Sequence, residues 1–115
     1  MAIEKGSVVL VTSNRLGTGD DDLGEALIFK FLTELAGTAV VPERIIFLNS
    51  GVKLVADDSP AIQQIKKLEA AGVEILACGT CVEWFELGER LSAGKQTNMT
   101  SVVAQVTTAT KLLSL

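Results

Sequence analysis

Short runs of apolar residues alternate along this chain with longer segments that are apolar on one side only. Runs at residues 7–13, 44–49 and 72–77 are rich in β-branched and aliphatic side chains and are bounded by polar residues or glycine. This pattern is typical of strands covered on both faces of a sheet. Shorter runs at residues 94–97 and 111–115 predict two more strands, which gives five in total.

The segments between these strands have the 3.6-residue spacing of helices. The first follows Asp20-Asp21-Asp22 and ends near Gly37, and the second has Ser59 as its N-cap and Pro60 in its first helical position. A short helix is predicted over residues 82–88. Residues 99–109 fit both a strand and a helix, and we predict a helix because Asn98 precedes them as a cap.

Strands that alternate with helices predict an α/β fold. Such chains form a parallel sheet with right-handed crossovers and helices on both faces. We expect one domain spanning residues 1–115. Ligands of such sheets bind beyond the carboxyl ends of the strands, where residues 14–19, 49–51 and 78–81 and Asn98 are expected to lie.

Composition narrows the possible partners. The net charge is −4, and no basic stripe is present, so we expect no nucleic-acid partner. No apolar run has the roughly 18 residues that cross a bilayer, and the beginning lacks a signal-peptide pattern, so we expect a cytoplasmic protein without membrane contact. The chain is 48% hydrophobic, which favours apolar surface shared between subunits of a homo-oligomer.

The sequence Cys78-Gly79-Thr80-Cys81 is the strongest candidate for chemistry. It contains the only two cysteines of the chain, and there is no histidine. It follows a predicted strand and opens a predicted helix, whose unpaired N–H groups favour a thiolate. In a reducing compartment this spacing indicates redox, sulfur-transfer or metal chemistry. A closed zinc site takes four ligands and the chain offers two thiolates, so we expect no metal and no cofactor.

Other residues near the predicted strand ends are candidates for a substrate pocket. Gly79 and Thr80 lie between the cysteines, and Trp84 follows them closely enough to wall an apolar pocket. Asn14 and Asn98 lie at element ends, where a local turn or cap competes with a role in positioning substrate. The absence of histidine excludes hydrolysis by a Ser-His or Cys-His couple.

The order of elements, with the stretches Ala77-Cys78-Gly79-Thr80-Cys81 and Thr97-Asn98-Met99, resembles the DsrE-like sulfur-carrier family, which includes DsrE, DsrF, TusD and YchN. The similarity is greatest to the DsrE-like domain at the carboxyl end of the selenium-metabolism protein YedF. The resemblance implies a three-layer α/β/α sandwich with a five-stranded, mainly parallel sheet, a homotrimer or hexamer, and persulfide sulfur carried on Cys78. It implies no role for Cys81.

Three functions remain open from the sequence. The first is a sulfurtransferase-like relay in which Cys78 accepts sulfane sulfur from a donor protein and passes it to an acceptor protein, with Cys81 as a resolving partner or helper. The second is a thiol–disulfide redox protein that uses both cysteines. The third is a non-enzymatic oligomer that binds a small ligand or a partner, with the cysteines incidental.

Overall fold

A computed structural model describes all 115 residues of the chain. Five strands form one all-parallel sheet in the order β4-β3-β2-β1-β5. The strands are β1 Ala2–Val11, β2 Val40–Phe47, β3 Glu74–Cys78, β4 Lys95–Thr97 and β5 Lys111–Ser114. The helices are α1 Asp21–Leu35, α2 Ile62–Ala70, α3 Gly79–Trp84 and α4 Met99–Thr107, with 3₁₀ segments at Asn49–Val55 and Gly88–Arg90. The predicted α/β class and the five strands are confirmed.

The strand order explains why helices cover both faces. From β1 to β4 each strand is added on the same side of the one before, so right-handed crossovers keep α1, α2 and α3 on one face. The chain then returns past β1 to place β5 at the opposite edge. A right-handed crossover in that reversed direction puts α4 on the other face, which makes the molecule a three-layer α/β/α sandwich.

The core is divided by the sheet into two unequal parts. A cluster of 22 buried residues joins the sheet to α1, α2, α3 and the 3₁₀ segment Asn49–Val55. On the other face, Val8, Ile46 and Leu76 pack against Val102 of α4 in a cluster of four. A single short helix therefore covers the second face, and apolar side chains at its margins stay exposed.

The predicted helix cap at Asn98 is confirmed, since its Oδ1 accepts a hydrogen bond from the Ser101 N–H at 2.9 Å. Helix α1 is capped by Asp20, whose Oδ1 accepts from the Leu23 N–H at 2.8 Å. The prediction for Ser59 is wrong. Its hydroxyl accepts from the Ala61 N–H at 3.1 Å and closes a turn, and α2 begins only at Ile62.

The first two strands are longer than their apolar runs predict. Ala2 to Glu4 pair with Val40 to Pro42, and the register then shifts before Val8. Beside Pro42, β2 has a neighbour only on the β1 side, because its ladder with β3 begins at Arg44. A residue without an N–H is tolerated at such an edge.

None of the helices combines the length and the apolar content that crossing a membrane requires.

Candidate functional site

The carboxyl ends of β2 and β3 bring the candidate site together. β3 ends at Cys78, and the next residue begins α3, which carries Cys81 in its first turn. β2 ends at Phe47, and the chain turns after Leu48 into the 3₁₀ segment that starts at Asn49. Because adjacent parallel strands end at the same edge, Asn49 and the two cysteines lie close together.

The two thiols differ in their access to solvent. Cys78 is buried, with only 2% of its surface exposed, whereas Cys81 is partly exposed. Cys78 follows Leu76 by two residues in the same strand, which places it on the α4 side of the sheet. Both cysteines are free thiols. In the subunit, Cys81 is thus the thiol that a dissolved reagent meets first.

The Cys81 sulfur accepts a hydrogen bond from the backbone N–H of Asn49 at 3.1 Å. Asn49 has φ of +51°, a left-handed conformation that asparagine adopts more readily than most residues. Its side-chain Oδ1 accepts from the Ser50 N–H at 2.8 Å, which holds the turn in this shape. The turn therefore aims a backbone donor at a sulfur atom.

The surroundings of Cys81 raise the pKa of its thiol. Burial makes the largest contribution, and a hydrogen bond with Cys78 raises the pKa further, as does the charge of Cys78 when both groups ionise. The hydrogen bond from Asn49 acts in the opposite direction, because a donor stabilises the thiolate more than the thiol. The prediction that the start of this helix favours a thiolate is therefore wrong for Cys81, because burial outweighs the Asn49 N–H that favours ionisation.

We expect alkylation of Cys81 to respond to pH in the direction that this raised pKa dictates. Only the thiolate attacks iodoacetamide, so the rate at neutral pH should be below that of an exposed cysteine in a short peptide. It should keep rising at alkaline pH after the peptide rate has reached its plateau. Rates measured by mass spectrometry across the pH range check this, and a plateau below that of the peptide would contradict it.

A small cavity opens beside Cys81. Its volume is about 230 Å³, and it is lined by Asn49, Thr80, Cys81, Trp84 and Phe85. The wall is mostly apolar, and the Trp84 side chain is 80% exposed at its rim. Below the usual 300–1,000 Å³ of drug-sized pockets, this volume suits a small group attached to sulfur.

One positive charge lies close to this cavity. The Lys53 Nζ is 4.6 Å from the centroid of the Phe85 ring, within the range of a cation–π interaction. Phe85 also lines the cavity beside Cys81.

The remaining predicted pocket residues lie elsewhere on the same edge. Gly79 lines a separate, open depression of about 570 Å³ with Glu83 of α3 and with Glu86 and Glu89, which follow that helix. Asn14 lines a third cavity of about 190 Å³ beside Lys53, and its N–H donates to the Ser50 hydroxyl at 3.3 Å. Asn98 caps α4. Thr80 and Trp84 are thus the predicted residues that share a cavity with Cys81.

Asn49 is the site residue that sequence reasoning missed. The sequence placed residues 49–51 at the correct edge of the sheet, but no pattern indicated that the Asn49 N–H would contact a cysteine 32 residues later. The available signal was an asparagine directly after a buried strand, a position where a left-handed turn residue is common.

No group of three or more cysteine or acidic side chains is arranged to hold a metal ion. The site consists of two neighbouring thiols, one backbone donor and a small cavity.

Comparisons with solved structures give the fold. The chain is similar to the YchN protein from E. coli, with a TM-score of 0.63 at 15% identity, over 95% of this chain and 98% of the other. It is also similar to a conserved protein of unknown function from Bacteroides thetaiotaomicron, with a TM-score of 0.66 at 19% identity, over 96% of this chain and 95% of the other.

The chain is also similar to a protein of unknown function from Methanobacterium thermoautotrophicum, with a TM-score of 0.68 at 16% identity, over 100% of each chain. No family model and no curated protein matches the sequence. At these identities the likeness establishes the fold, and it supports the DsrE-like architecture that the sequence resemblance implied. The narrower similarity to the YedF domain stays a prediction.

Proposed function

We propose that this chain is a persulfide carrier that exchanges sulfane sulfur through the Cys78–Cys81 pair, with Cys78 as the thiol that carries it. The observation that carries the proposal is the placement of the two cysteines, three residues apart where β3 passes into α3, with the Asn49 N–H donating to the Cys81 sulfur at 3.1 Å. Their proximity agrees with the raised pKa of Cys81, to which Cys78 contributes. Such exchange requires a thiolate and access to it, and no cofactor. The DsrE-like fold agrees with the proposal.

Each transfer is an exchange between a thiolate and a persulfide. A thiolate of the pair attacks the outer sulfur of a donor persulfide, R–S–SH, and forms a new S–S bond. The old S–S bond breaks, and its electron pair leaves with R–S⁻. The carrier then holds the –S–SH group, and the reverse reaction delivers it to an acceptor thiolate without an external oxidant or reductant.

Cyanolysis tests this proposal, because cyanide removes sulfane sulfur as thiocyanate. The chain is incubated with glutathione persulfide, freed of donor and treated with cyanide. We expect thiocyanate in an amount close to that of the chain, and background amounts from the double variant Cys78→Ala/Cys81→Ala. Equal thiocyanate from the two proteins would overturn the proposal.

A thiol–disulfide redox function is the second candidate, favoured by the placement of two free thiols three residues apart at the start of α3. Equilibration with glutathione separates the two functions. A disulfide with a potential near −200 mV would suit a redox catalyst, and one below about −300 mV would be too stable to cycle against glutathione. Redox cycling without thiocyanate release would favour this candidate.

We also propose that the protein is cytoplasmic and that its partners are two proteins. One donates sulfur to it, and the other accepts sulfur from it. The resemblance to a selenium-metabolism protein adds selenium as an alternative cargo. Replacing the donor by glutathione selenopersulfide in the loading experiment tests that alternative.

We also propose that the subunits assemble, as a trimer or hexamer, through the face that α4 covers. Met99 and Val103 lie one turn apart on α4 and are 54% and 51% exposed. Leu112 of β5 is 47% exposed and pairs with Val8 of the same core cluster. These side chains form an apolar surface that a second subunit would cover.

Val103→Asp is expected to reduce the mass of the assembly in solution to that of the monomer, because the carboxylate would be buried without a partner. Size-exclusion chromatography with light scattering measures that mass. Leu23→Asp is the matched control, since Leu23 is 57% exposed on α1 at the opposite face. If the assembly survives Val103→Asp and dissociates with Leu23→Asp, the subunits contact each other through the α1 face. That result would contradict this proposal.

A further inference from the structure

The inference concerns the order in which the two cysteines act, and it rests on the proposed function. Cys78 carries the sulfur in that function, yet only 2% of its surface is exposed. An approaching persulfide must form a straight line of three sulfur atoms with the attacking thiolate. Cys78 is not among the residues that line the cavity at this edge, so a donor cannot reach it in the closed subunit.

Cys81 meets the requirements that Cys78 lacks. It is partly exposed, it lines the 230 Å³ cavity, and the adjacent Thr80 and Trp84 leave the cavity open to solvent. The Asn49 N–H already donates to its sulfur at 3.1 Å. A hydrogen bond of this kind stabilises the negative charge on the attacking sulfur without a proton transfer to the protein.

We infer that Cys81 is the receiving thiol of a two-step relay, that the cavity beside it admits the persulfide group of the donor, and that the sulfur then moves inward to Cys78. Asn49 is a positioning residue for the first step. The sulfur moves from Cys81 to Cys78 because a donor reaches only Cys81, and because sulfur on the buried Cys78 is protected from water and from competing thiols.

Both steps balance in atoms and charge. The Cys81 thiolate attacks the outer sulfur of R–S–SH, and R–S⁻ leaves with the electron pair of the broken S–S bond. Cys78 then attacks the outer sulfur of the Cys81 persulfide and takes up the –SH group. The thiol proton of Cys78 is lost as the new S–S bond forms and the departing Cys81 sulfur takes up a proton, so that the pair ends as Cys78–S–SH and Cys81–SH.

Loading kinetics of two matched variants test the order. With glutathione persulfide as the probe, Cys81→Ala is expected to slow the uptake of sulfur at least about tenfold, because the accessible thiol is gone. Cys78→Ala is expected to load at nearly the wild-type initial rate and to keep the sulfur on Cys81. Intact mass measured over time gives both rates.

A measurement on the unmodified chain removes any dependence on how the variants fold. Fragmentation of the peptide that contains both cysteines, sampled early and late in loading, should show sulfur first on Cys81 and later on Cys78. Simultaneous labelling, or loading of Cys81→Ala at the wild-type rate, would overturn the relay order while the proposed function stands. A wild-type chain that takes up no sulfur overturns both.

Discussion

Replacing Cys78 by alanine is expected to make the loaded chain lose its sulfane sulfur to competing thiols faster than the wild type does. In the wild type the loaded atom lies on a thiol that is 2% exposed, whereas in the variant it stays on the partly exposed Cys81. Reduced glutathione should therefore strip the variant at least about tenfold faster than the wild type, since thiol exchange depends on access to the sulfur attacked. Intact mass after addition of glutathione to the loaded proteins measures both rates.

The matched control for this prediction is Cys81→Ala, loaded slowly to completion. It keeps the buried thiol and should lose sulfur as slowly as the wild type or more slowly. Alanine leaves no unpaired hydroxyl in the core, so both variants should fold, which their thermal unfolding curves verify. Equal rates of loss from Cys78→Ala and the wild type would show that Cys78 does not protect the sulfur.

Gly51→Ala is expected to destabilise the chain by about 1–3 kcal/mol, the usual cost of forcing extra atoms into a filled interior. A Cβ on Gly51 would overlap the carbonyl oxygen of Val11, a backbone atom. That backbone cannot move freely, because the same oxygen accepts the Leu48 N–H at 2.9 Å. Urea denaturation of the two proteins, at equal m-values, measures the difference.

Gly88→Ala is the control for Gly51→Ala. No atom lies within 4 Å of the Cβ that it would add, so its effect should stay within about 0.5 kcal/mol. Gly51 also lies two residues after Asn49, and a displaced turn should weaken the hydrogen bond to Cys81. Similar denaturation midpoints for Gly51→Ala and the wild type would show that the turn accommodates a methyl group.

Most of the fold could be predicted because periodicity and capping agree. Residues 99–109 show this best, since their valines and threonines favour a strand and only the cap at Asn98 and the spacing favour the helix that forms. The Ser59 prediction failed because Ser59 closes a local turn and Pro60 follows inside it. The early part of β1 was missed because Ala2, Ile3 and Glu4 form no apolar run of their own. They become a strand by pairing with β2, which is a long-range effect that the local pattern does not contain.

The position of the candidate site could be predicted from the sequence, but the arrangement of its side chains could not. Spacing and topology put both cysteines at the edge of the sheet where the carboxyl ends of the strands lie. Which thiol faces solvent depends on strand alternation at Cys78 and on the turn that brings Asn49 to Cys81, and both are tertiary properties. The sequence resemblance pointed to Cys78, and the structure adds Cys81 as the accessible member of the pair.

The most direct test of the central claim is the mass of the wild-type chain after loading with glutathione persulfide and removal of the donor. We predict a gain of one sulfur atom that dithiothreitol reverses and that fragmentation assigns, at completion, to Cys78. A chain that gains no sulfur, or that carries it at a position other than Cys78 and Cys81, would contradict the account.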